Sequence, residues 1–120
     1  MKKRILSISY DPSLLHTRHW ILEQAGYEVS SALGFAEALE VCQTRHDFDL
    51  VLMGHSMPQK DKMALYDALR QKCKAPLLSI LRQGDSPIPQ AEYAVEANDG
   101  PDALVEAVNN ALGRPEGHFS

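Results

Sequence analysis

The stretch Asp49-Leu50-Val51-Leu52-Met53-Gly54-His55-Ser56-Met57-Pro58 decides the fold of this chain. Its four apolar residues, 50–53, are consecutive and do not alternate with polar residues, which is typical of a short strand buried on both faces. A polar residue precedes this run, and a glycine and further polar residues follow it. Because strands covered on both faces occur in parallel sheets flanked by helices, the stretch predicts an α/β protein.

The sequence on either side of this stretch alternates between short apolar runs and segments with helical spacing. Strands are predicted over residues 4–9, 27–32, 50–53, 77–81 and 93–95. Helices are predicted from Asp11-Pro12 to Gly26, from Gly34-Phe35 to about Arg45, over 61–73, and from Asp99-Gly100-Pro101 to Gly113. An aspartate or proline favours a helix start and a glycine favours its end. The alternation predicts a single doubly wound parallel sheet with helices on both faces.

The interval between the fourth and fifth predicted strands departs from this alternation. Only eleven residues separate Leu81 from Tyr93, and they include Gly84, Pro87 and Pro89. A proline inside a helix costs about 3 kcal/mol, so no full helix is expected here. The helix that would complete this repeat is therefore predicted to be shortened or missing.

Composition limits the classes of function. The chain has 120 residues, enough for one domain, and its 16 acidic and 12 basic residues give a net charge of −4. This balance argues against binding to nucleic acid or to an acidic membrane surface. No apolar run reaches the length of a membrane span, and Asp11 and Pro12 interrupt the apolar stretch that a signal peptide would need. Cys42 and Cys73, without CxxC spacing, favour buried thiols in a reduced, cytoplasmic protein.

In a doubly wound sheet, ligands bind outside the carboxyl ends of the strands. Four such ends are predicted, and the search for a site starts there: Ser9-Tyr10-Asp11, Met53-Gly54-His55, Leu81-Arg82 and Val95-Glu96-Ala97.

At these positions the chain resembles the receiver domain of two-component response regulators. The matching segments are Ile5-Leu6-Ser7-Ile8-Ser9-Tyr10-Asp11-Pro12, Ala25-Gly26-Tyr27-Glu28-Val29, the Asp49–Pro58 stretch, Ala75-Pro76-Leu77-Leu78 and Tyr93-Ala94-Val95-Glu96. The resemblance implies a flavodoxin-like, five-stranded parallel sheet with strand order 2-1-3-4-5. It also implies a receiver-like domain over residues 1–113, followed by a flexible tail over residues 114–120.

The resemblance assigns a phosphorylation pocket, but most of its positions are altered. In the family two acidic residues end the first strand, and with an aspartate after the third strand they hold Mg²⁺; here the acidic pair falls on Ser9 and Tyr10. The phosphoacceptor aspartate falls on Gly54, which has no side chain. Asp11 and the backbone carbonyl of Ser56 would make a poor Mg²⁺ site, since Mg²⁺ requires near-octahedral oxygen coordination.

The positions that bind the new phosphate in the family are altered as well. Its hydroxyl residue falls on Leu81 and its lysine falls on Glu96, which reverses the charge. Only the switch aromatic, as Tyr93, and the Met57-Pro58 turn are retained. The resemblance therefore predicts a degenerate receiver, or pseudo-receiver, that is not an enzyme and needs no cofactor, with Mg²⁺ not expected.

The predicted function is a phosphorylation-independent protein–protein interaction module in bacterial two-component or phosphorelay signalling. Its expected partner is a histidine kinase or an output protein, and a weak homodimer is left open. The first alternative is a small-molecule sensor that uses the vacated pocket at the carboxyl ends of the strands. A second alternative is a phosphoacceptor working through His55 or Asp11.

Further candidate residues lie on the first predicted helix or directly before it. His16 and His19 could share a face and bind a metal, but without a third ligand at a recognisable spacing we expect them, with Arg18, on the solvent face. Trp20 is either an exposed anchor for a partner or a residue at the edge of the core, and its spacing does not distinguish the two. Tyr10 is expected to fill the space left by the acidic pair and Mg²⁺.

Overall fold

Five parallel strands form one sheet in the computed structural model, which describes residues 2–45, 47–55, 59–82, 84–85 and 91–113. The strands are β1 (Arg4–Ser9), β2 (Glu28–Leu33), β3 (Leu50–Met53), β4 (Leu77–Leu81) and β5 (Tyr93–Glu96). The α-helices of the described residues are α1 (Pro12–Gln24), α2 (Gly34–Thr44), α3 (Gln59–Lys72) and α4 (Gly100–Leu112), and a 3₁₀ turn at Ala97–Asp99 leads into α4.

The sheet has the order β2-β1-β3-β4-β5, which confirms the predicted flavodoxin-like arrangement. Ile5 of β1 pairs with Val29 on one side and with Leu50 on the other, and Leu52 pairs with Leu78 of β4. β3 therefore lies at the centre of the sheet, as its unbroken apolar run predicts.

The core consists of two apolar layers, one on each face of the sheet. Leu50 and Leu52 of β3 belong to the layer that α1 and α4 cover, whereas Val51 and Met53 belong to the layer that α2 and α3 cover. All four side chains are fully buried. Successive residues of a strand point to opposite faces, so a strand between two helical layers needs apolar residues at every position.

The junction between α1 and β2 corrects one predicted boundary. Gly26 has a φ of 103°, and the backbone N–H of Tyr27 donates to the carbonyl oxygen of Leu22 at 3.1 Å. These features form a Schellman cap, in which glycine adopts the left-handed conformation and the next residue closes the helix end. Tyr27 is thus part of the cap, and the prediction that β2 begins there is wrong: β2 begins at Glu28.

Other boundaries differ by one or two residues. α3 begins at Gln59, two residues before the predicted start, so that Asp61 lies within its first turn. An acidic residue is favourable there because the N-terminus of a helix carries partial positive charge. β5 extends to Glu96, which pairs with Leu81.

No α-helix connects β4 to β5 in the described residues of this interval, which are 82, 84–85 and 91–92. This agrees with the predicted loss of one helix, although Pro87 and Pro89, on which that prediction depends, lie outside the described residues. The predicted tail at 114–120 also lies outside them. Among the helices that are described, none has the length and apolar character of a membrane span.

Cys42 and Cys73 bring α2 and the end of α3 together in the core. Both thiols are free and buried, and their Sγ atoms are 2.7 Å apart. Burial raises the pKa of the Cys42 thiol, and the contact with Cys73 raises it further. The folded state therefore favours the neutral thiol of Cys42.

This raised pKa predicts a loss of stability at alkaline pH. The folded chain retains the Cys42 proton above pH 9.0, the ordinary pKa, whereas the unfolded chain releases it. The contribution is fully present below that pH and falls by about 1.4 kcal/mol per pH unit above it. Urea unfolding with a reductant present measures the free energy of unfolding at several pH values between 8 and 10. This free energy should depend less on pH for Cys42→Ala than for the unsubstituted chain. Tyr10 and Tyr66, whose pKa values are also raised, contribute equally to both proteins. Any difference between the two slopes therefore reports Cys42, and equal slopes would contradict the prediction.

Candidate functional site

The carboxyl ends of the strands lie along one edge of the sheet, where the sequence predicts the site. Ser9 ends β1, Leu81 and Glu96 end β4 and β5, and Gly54 directly follows β3. The backbone N–H of Gly54 donates to the carbonyl oxygen of Ile8 at 2.9 Å, which extends the pairing of β1 and β3. The fold thus brings the predicted pocket positions to a common edge.

Ser9 and Asp11 use their polar groups to shape the chain after β1. The Ser9 Oγ accepts a hydrogen bond from the backbone N–H of Asp11 at 3.0 Å. Oδ1 of Asp11 accepts from the backbone N–H groups of Ser13, at 2.9 Å, and Leu14, at 3.3 Å, and so caps α1. A metal ion at Asp11 would have to compete with this cap. Ser56, the predicted companion of Asp11, lies outside the described residues.

The Tyr10 side chain reaches α3. Its ring packs against the core layer under α2 and α3, and its hydroxyl donates to Oδ2 of Asp61 at 3.2 Å. Burial raises the pKa of Tyr10, and the negative charge of Asp61 raises it further. Tyr10 therefore binds β1 to α3 as a neutral hydrogen-bond donor.

The group that lies against Gly54 is the guanidinium of Arg18. A Cβ atom added to Gly54 would lie 2.8 Å from Nη1 of Arg18 and 3.1 Å from the carbonyl oxygen of Ile8. Arg18 is only 7% exposed, so its predicted place on the solvent face is wrong. Its spacing from Leu15 and Leu22, i, i+3 and i+7, is that of one helix face, and all three residues are buried. That spacing is the sequence signal for the burial of Arg18.

The Arg18 guanidinium places a positive charge at the sheet edge. Its Nη1 is buried and has no hydrogen-bond partner among the described residues. Burial lowers the pKa of Arg18, and the negative charge of Asp11 opposes that effect. An arginine remains charged despite such a shift because its ordinary pKa exceeds 12.

Further basic side chains lie near Arg18. Lys62 of α3 is almost fully buried, and burial lowers its pKa while Asp85 opposes the shift. Burial also lowers the pKa of His55, and the charges of Arg18, Arg82 and Lys62 lower it further. The negative charge of Asp85 opposes these three charges at His55. The region that the resemblance predicts to hold a metal cation is therefore positively charged in this chain.

Leu81, Glu96 and Tyr93 occupy the β4 and β5 side of the edge. Leu81 is buried, and Glu96, its partner in the sheet, is exposed. Tyr93 lies at the start of β5, opposite Leu78, and is 39% exposed. The Leu81 side chain is apolar and an ionised Glu96 only accepts hydrogen bonds, so neither could donate a hydrogen bond to a phosphate.

A cavity of about 300 Å³ opens beside this edge, between α1, β5 and α4. Its walls are mainly apolar, and polar groups from α1, from the residue after Gly54 and from the end of β5 interrupt them. The lining residues with polar side chains are Thr17, Arg18, His55, Glu96 and Asn98. The apolar ones include Leu14, Ile21, Ile80, Val95, Pro101 and Leu104.

The remaining candidates on α1 are separated by the structure. His16 is exposed, whereas His19 is half-buried, with Nδ1 2.8 Å from Ser31 Oγ and Nε2 3.2 Å from a carboxylate oxygen of Glu23. Within the described part of the chain, no group of three or more histidine, cysteine or acidic residues could hold a metal ion. Trp20 is 61% exposed and so does not belong to the core.

Comparison with known proteins identifies the fold. A chemotaxis protein of Vibrio cholerae, CheY4, has a TM-score of 0.79 at 22% identity, over 93% of this chain and 100% of that one. A CheY-like receiver domain from Methanospirillum hungatei has a TM-score of 0.78 at 23% identity, over 94% and 95%. A chain from a complex of a histidine kinase with a response regulator has a TM-score of 0.74 at 26% identity, over 92% and 98%. The fold of this chain is thus that of CheY-like receiver domains.

Comparison of sequences gives weaker matches than comparison of structures. A probable transcriptional regulator of Cyanophora paradoxa, ycf27, is 31% identical over 84 residues, which cover 70% of this chain. The match spans only 35% of that relative's length. No family model matches the chain.

The contact between Gly54 and Arg18 predicts that even a methyl group is costly at Gly54. Gly54→Ala should lower the free energy of unfolding by about 1–3 kcal/mol, because the new Cβ must displace the guanidinium in a packed environment. In an Arg18→Ala background the same substitution should cost less, since its nearest neighbour is gone. Urea denaturation of the two single variants and the double variant measures this coupling. An equal cost in both backgrounds would contradict it.

Proposed function

We propose that this chain is a degenerate receiver domain that signals by binding a protein partner, without being phosphorylated and without catalysing a reaction. The receiver fold and the receiver domains among its structural neighbours support the signalling role. We place this role in bacterial two-component signalling and in the cytoplasm, as the resemblance implies.

The observation that carries the proposal is the pairing of Gly54 with a buried guanidinium. Gly54 offers no atom that could accept a phosphoryl group at the position that the resemblance assigns to the phosphoacceptor. Nη1 of Arg18 would lie 2.8 Å from a Cβ at that position, so the space of an acceptor side chain is already occupied. Loss of the acceptor and occupation of its space both argue against phosphotransfer here.

The residues at this edge do not fit Mg²⁺. The ion requires several hard oxygen ligands. Asp11 already caps α1, and Ser9 and Tyr10 stand where the resemblance assigns the acidic pair. The guanidinium of Arg18 would also repel the ion. At a separation of about 5 Å and an effective dielectric constant of about 20, a single charge and a double charge repel by about 7 kcal/mol. We therefore derive no step that uses Mg²⁺.

The rest of the proposed pocket supports the same conclusion. Leu81 and Glu96 take the positions of the groups that would stabilise a new phosphate, and an apolar and a negative side chain would oppose one. The exposed Tyr93 retains an aromatic group at the proposed switch position, but its trigger would have to be other than a phosphoryl group.

A protein partner is supported by one structural neighbour and by the surface. That neighbour comes from a complex of a histidine kinase with a response regulator, and we extend this class of partner to the present chain. Trp20 is the most exposed of the large apolar side chains described, and tryptophan is enriched among residues that dominate binding interfaces. We therefore propose α1, with Trp20, as part of the partner surface.

The first prediction concerns metal and phosphate. If Mg²⁺ bound at one hundred times its Kd, it would contribute about 2.7 kcal/mol and raise the Tm by on the order of 10 °C. We expect no such shift, and no phosphoryl adduct in the intact mass after incubation with acetyl phosphate and Mg²⁺. A phosphorylatable receiver treated in parallel confirms that the donor is active. An adduct on His55 or Asp11, or a large Mg²⁺-dependent shift, would overturn the proposal.

The second prediction concerns the partner. Purified histidine kinases and output domains, immobilised as a panel, should include one that binds this chain with the same affinity with and without acetyl phosphate and Mg²⁺. Trp20→Ala should weaken that binding at least tenfold if Trp20 anchors the interface. The matched control is Leu33→Ala, which removes another exposed apolar side chain. Binding that requires the phosphodonor would count against the proposal.

A further inference from the structure

The cavity beside this edge combines apolar walls with a guanidinium whose Nη1 has no hydrogen-bond partner in the described residues. Ile21 and Leu104 lie among its apolar walls, and Arg18 and His55 are also in its lining. Its volume of about 300 Å³ lies at the lower end of the range for small-molecule sites. Such a site binds a compact organic ligand more readily than a nucleotide, which also needs a phosphate-binding loop.

Arg18 supplies the polar anchor of this cavity. Arg18 is only 7% exposed, and its Nη1 has no hydrogen-bond partner in the described residues. A buried donor without a partner is unfavourable, so a ligand oxygen would gain a charge-assisted hydrogen bond. Arg18 itself lines the cavity, so a ligand held there lies next to the guanidinium.

His55 provides a second unsatisfied group in the same lining. Its Nδ1 is buried and has no partner in the described part of the chain. Burial and the charges of Arg18, Arg82 and Lys62 lower the pKa of His55, with Asp85 opposing them, so the ring is neutral at pH 7. A neutral ring can donate or accept one further hydrogen bond without adding charge to the cavity.

The charge of the lining selects the charge of the ligand. Among the lining residues that are described, Arg18 is the one permanent cation, and Glu96 is the one carboxylate. A phosphate group carries a charge of about −1.5 to −2 at neutral pH. The single guanidinium would leave such a charge only partly neutralised, and Glu96 would repel the rest. A carboxylate carries a single charge and matches the planar donors of the guanidinium.

We propose that this cavity binds a small organic monoanion, a carboxylate with an apolar body, and that Arg18 holds the carboxylate. The apolar body lies along the walls formed by Leu14, Ile21, Ile80, Val95 and Leu104. The inference deepens the sensor alternative and is independent of whether the chain binds a protein partner. A ligand there would touch α1, β5 and the start of α4 together.

Nuclear magnetic resonance titration tests the site. The probes are octanoate, 4-phenylbutyrate and indole-3-acetate, each beside its neutral amide, with inorganic phosphate as a separate anion. At least one carboxylate should bind saturably with a Kd of about 1 mM or tighter, and should shift the amide signals of residues that line the cavity. Its amide should bind at least tenfold more weakly, and phosphate should not compete.

Two variants separate the Arg18 site from general electrostatics. Arg18→Met keeps a long apolar side chain and should reduce affinity for the carboxylate at least tenfold. Arg82→Gln is the matched control, because it removes one positive charge near His55 from a residue that does not line the cavity. The affinity of this variant for the carboxylate should stay within about threefold of that of the unsubstituted chain. Ala97→Phe, which fills the cavity and leaves Arg18 in place, should also abolish binding, so the test does not depend on the stability of one variant.

Several outcomes would overturn the inference. Equal binding of a carboxylate and its amide would make the cavity merely apolar, and competition by phosphate would make it a general anion site. Absence of binding by all three carboxylates, or shifts confined to residues outside the cavity, would remove the site altogether. None of these results bears on the phosphodonor experiment, so failure of the ligand site and failure of the proposed function remain distinguishable.

Discussion

Burial of both faces of β3 is the constraint on which the rest of the structure depends. Leu50 and Leu52 are withdrawn from water by α1 and α4, and Val51 and Met53 by α2 and α3. Each square ångström of apolar surface buried contributes about 25 cal/mol, so both helical layers are needed to cover this strand. Parallel strands with right-handed crossovers then place every carboxyl end at the same edge. The edge is thus a consequence of the core, and it forms whichever residues occupy it.

This independence explains how the edge can change its charge without loss of the fold. Leu15 and Leu22 anchor the same face of α1 on which Arg18 lies, so the helix position does not depend on the guanidinium. Asp11 keeps its role as the cap of α1, and Tyr10 links β1 to α3 through Asp61. The polar side chains at the end of β1 therefore serve the local structure, and a cation from the protein lies where the resemblance predicts a metal.

The strands and helix ends were predictable because they depend on local properties. The apolar run of β3, the cap of Asp11 and the left-handed Gly26 each have a physical meaning within a few residues of chain. The burial of Arg18 was not predicted, because a charged residue on a helix is usually exposed. Its spacing from Leu15 and Leu22 indicates the buried helix face, but its contact with Gly54, 36 positions away in the sequence, could not be predicted locally. The hydrogen bond from Tyr10 to Asp61 also joins residues far apart in the chain. Contacts of this kind follow from packing between elements and have no local sequence signal.

The positive charge of Arg18 at this edge also limits how such a domain could be controlled. A covalent phosphoryl group would add negative charge to this edge, and that charge would remain until a second reaction removed the group. A dissociable monoanion would bring its charge in proportion to its concentration, and it could shift the conformation only by as much as its affinity differs between two states. Since the cavity lies between α1, β5 and α4, any such difference would act on the packing of α1 against α4. Trp20, exposed on α1, would then couple the occupancy of the cavity to the surface proposed for the partner.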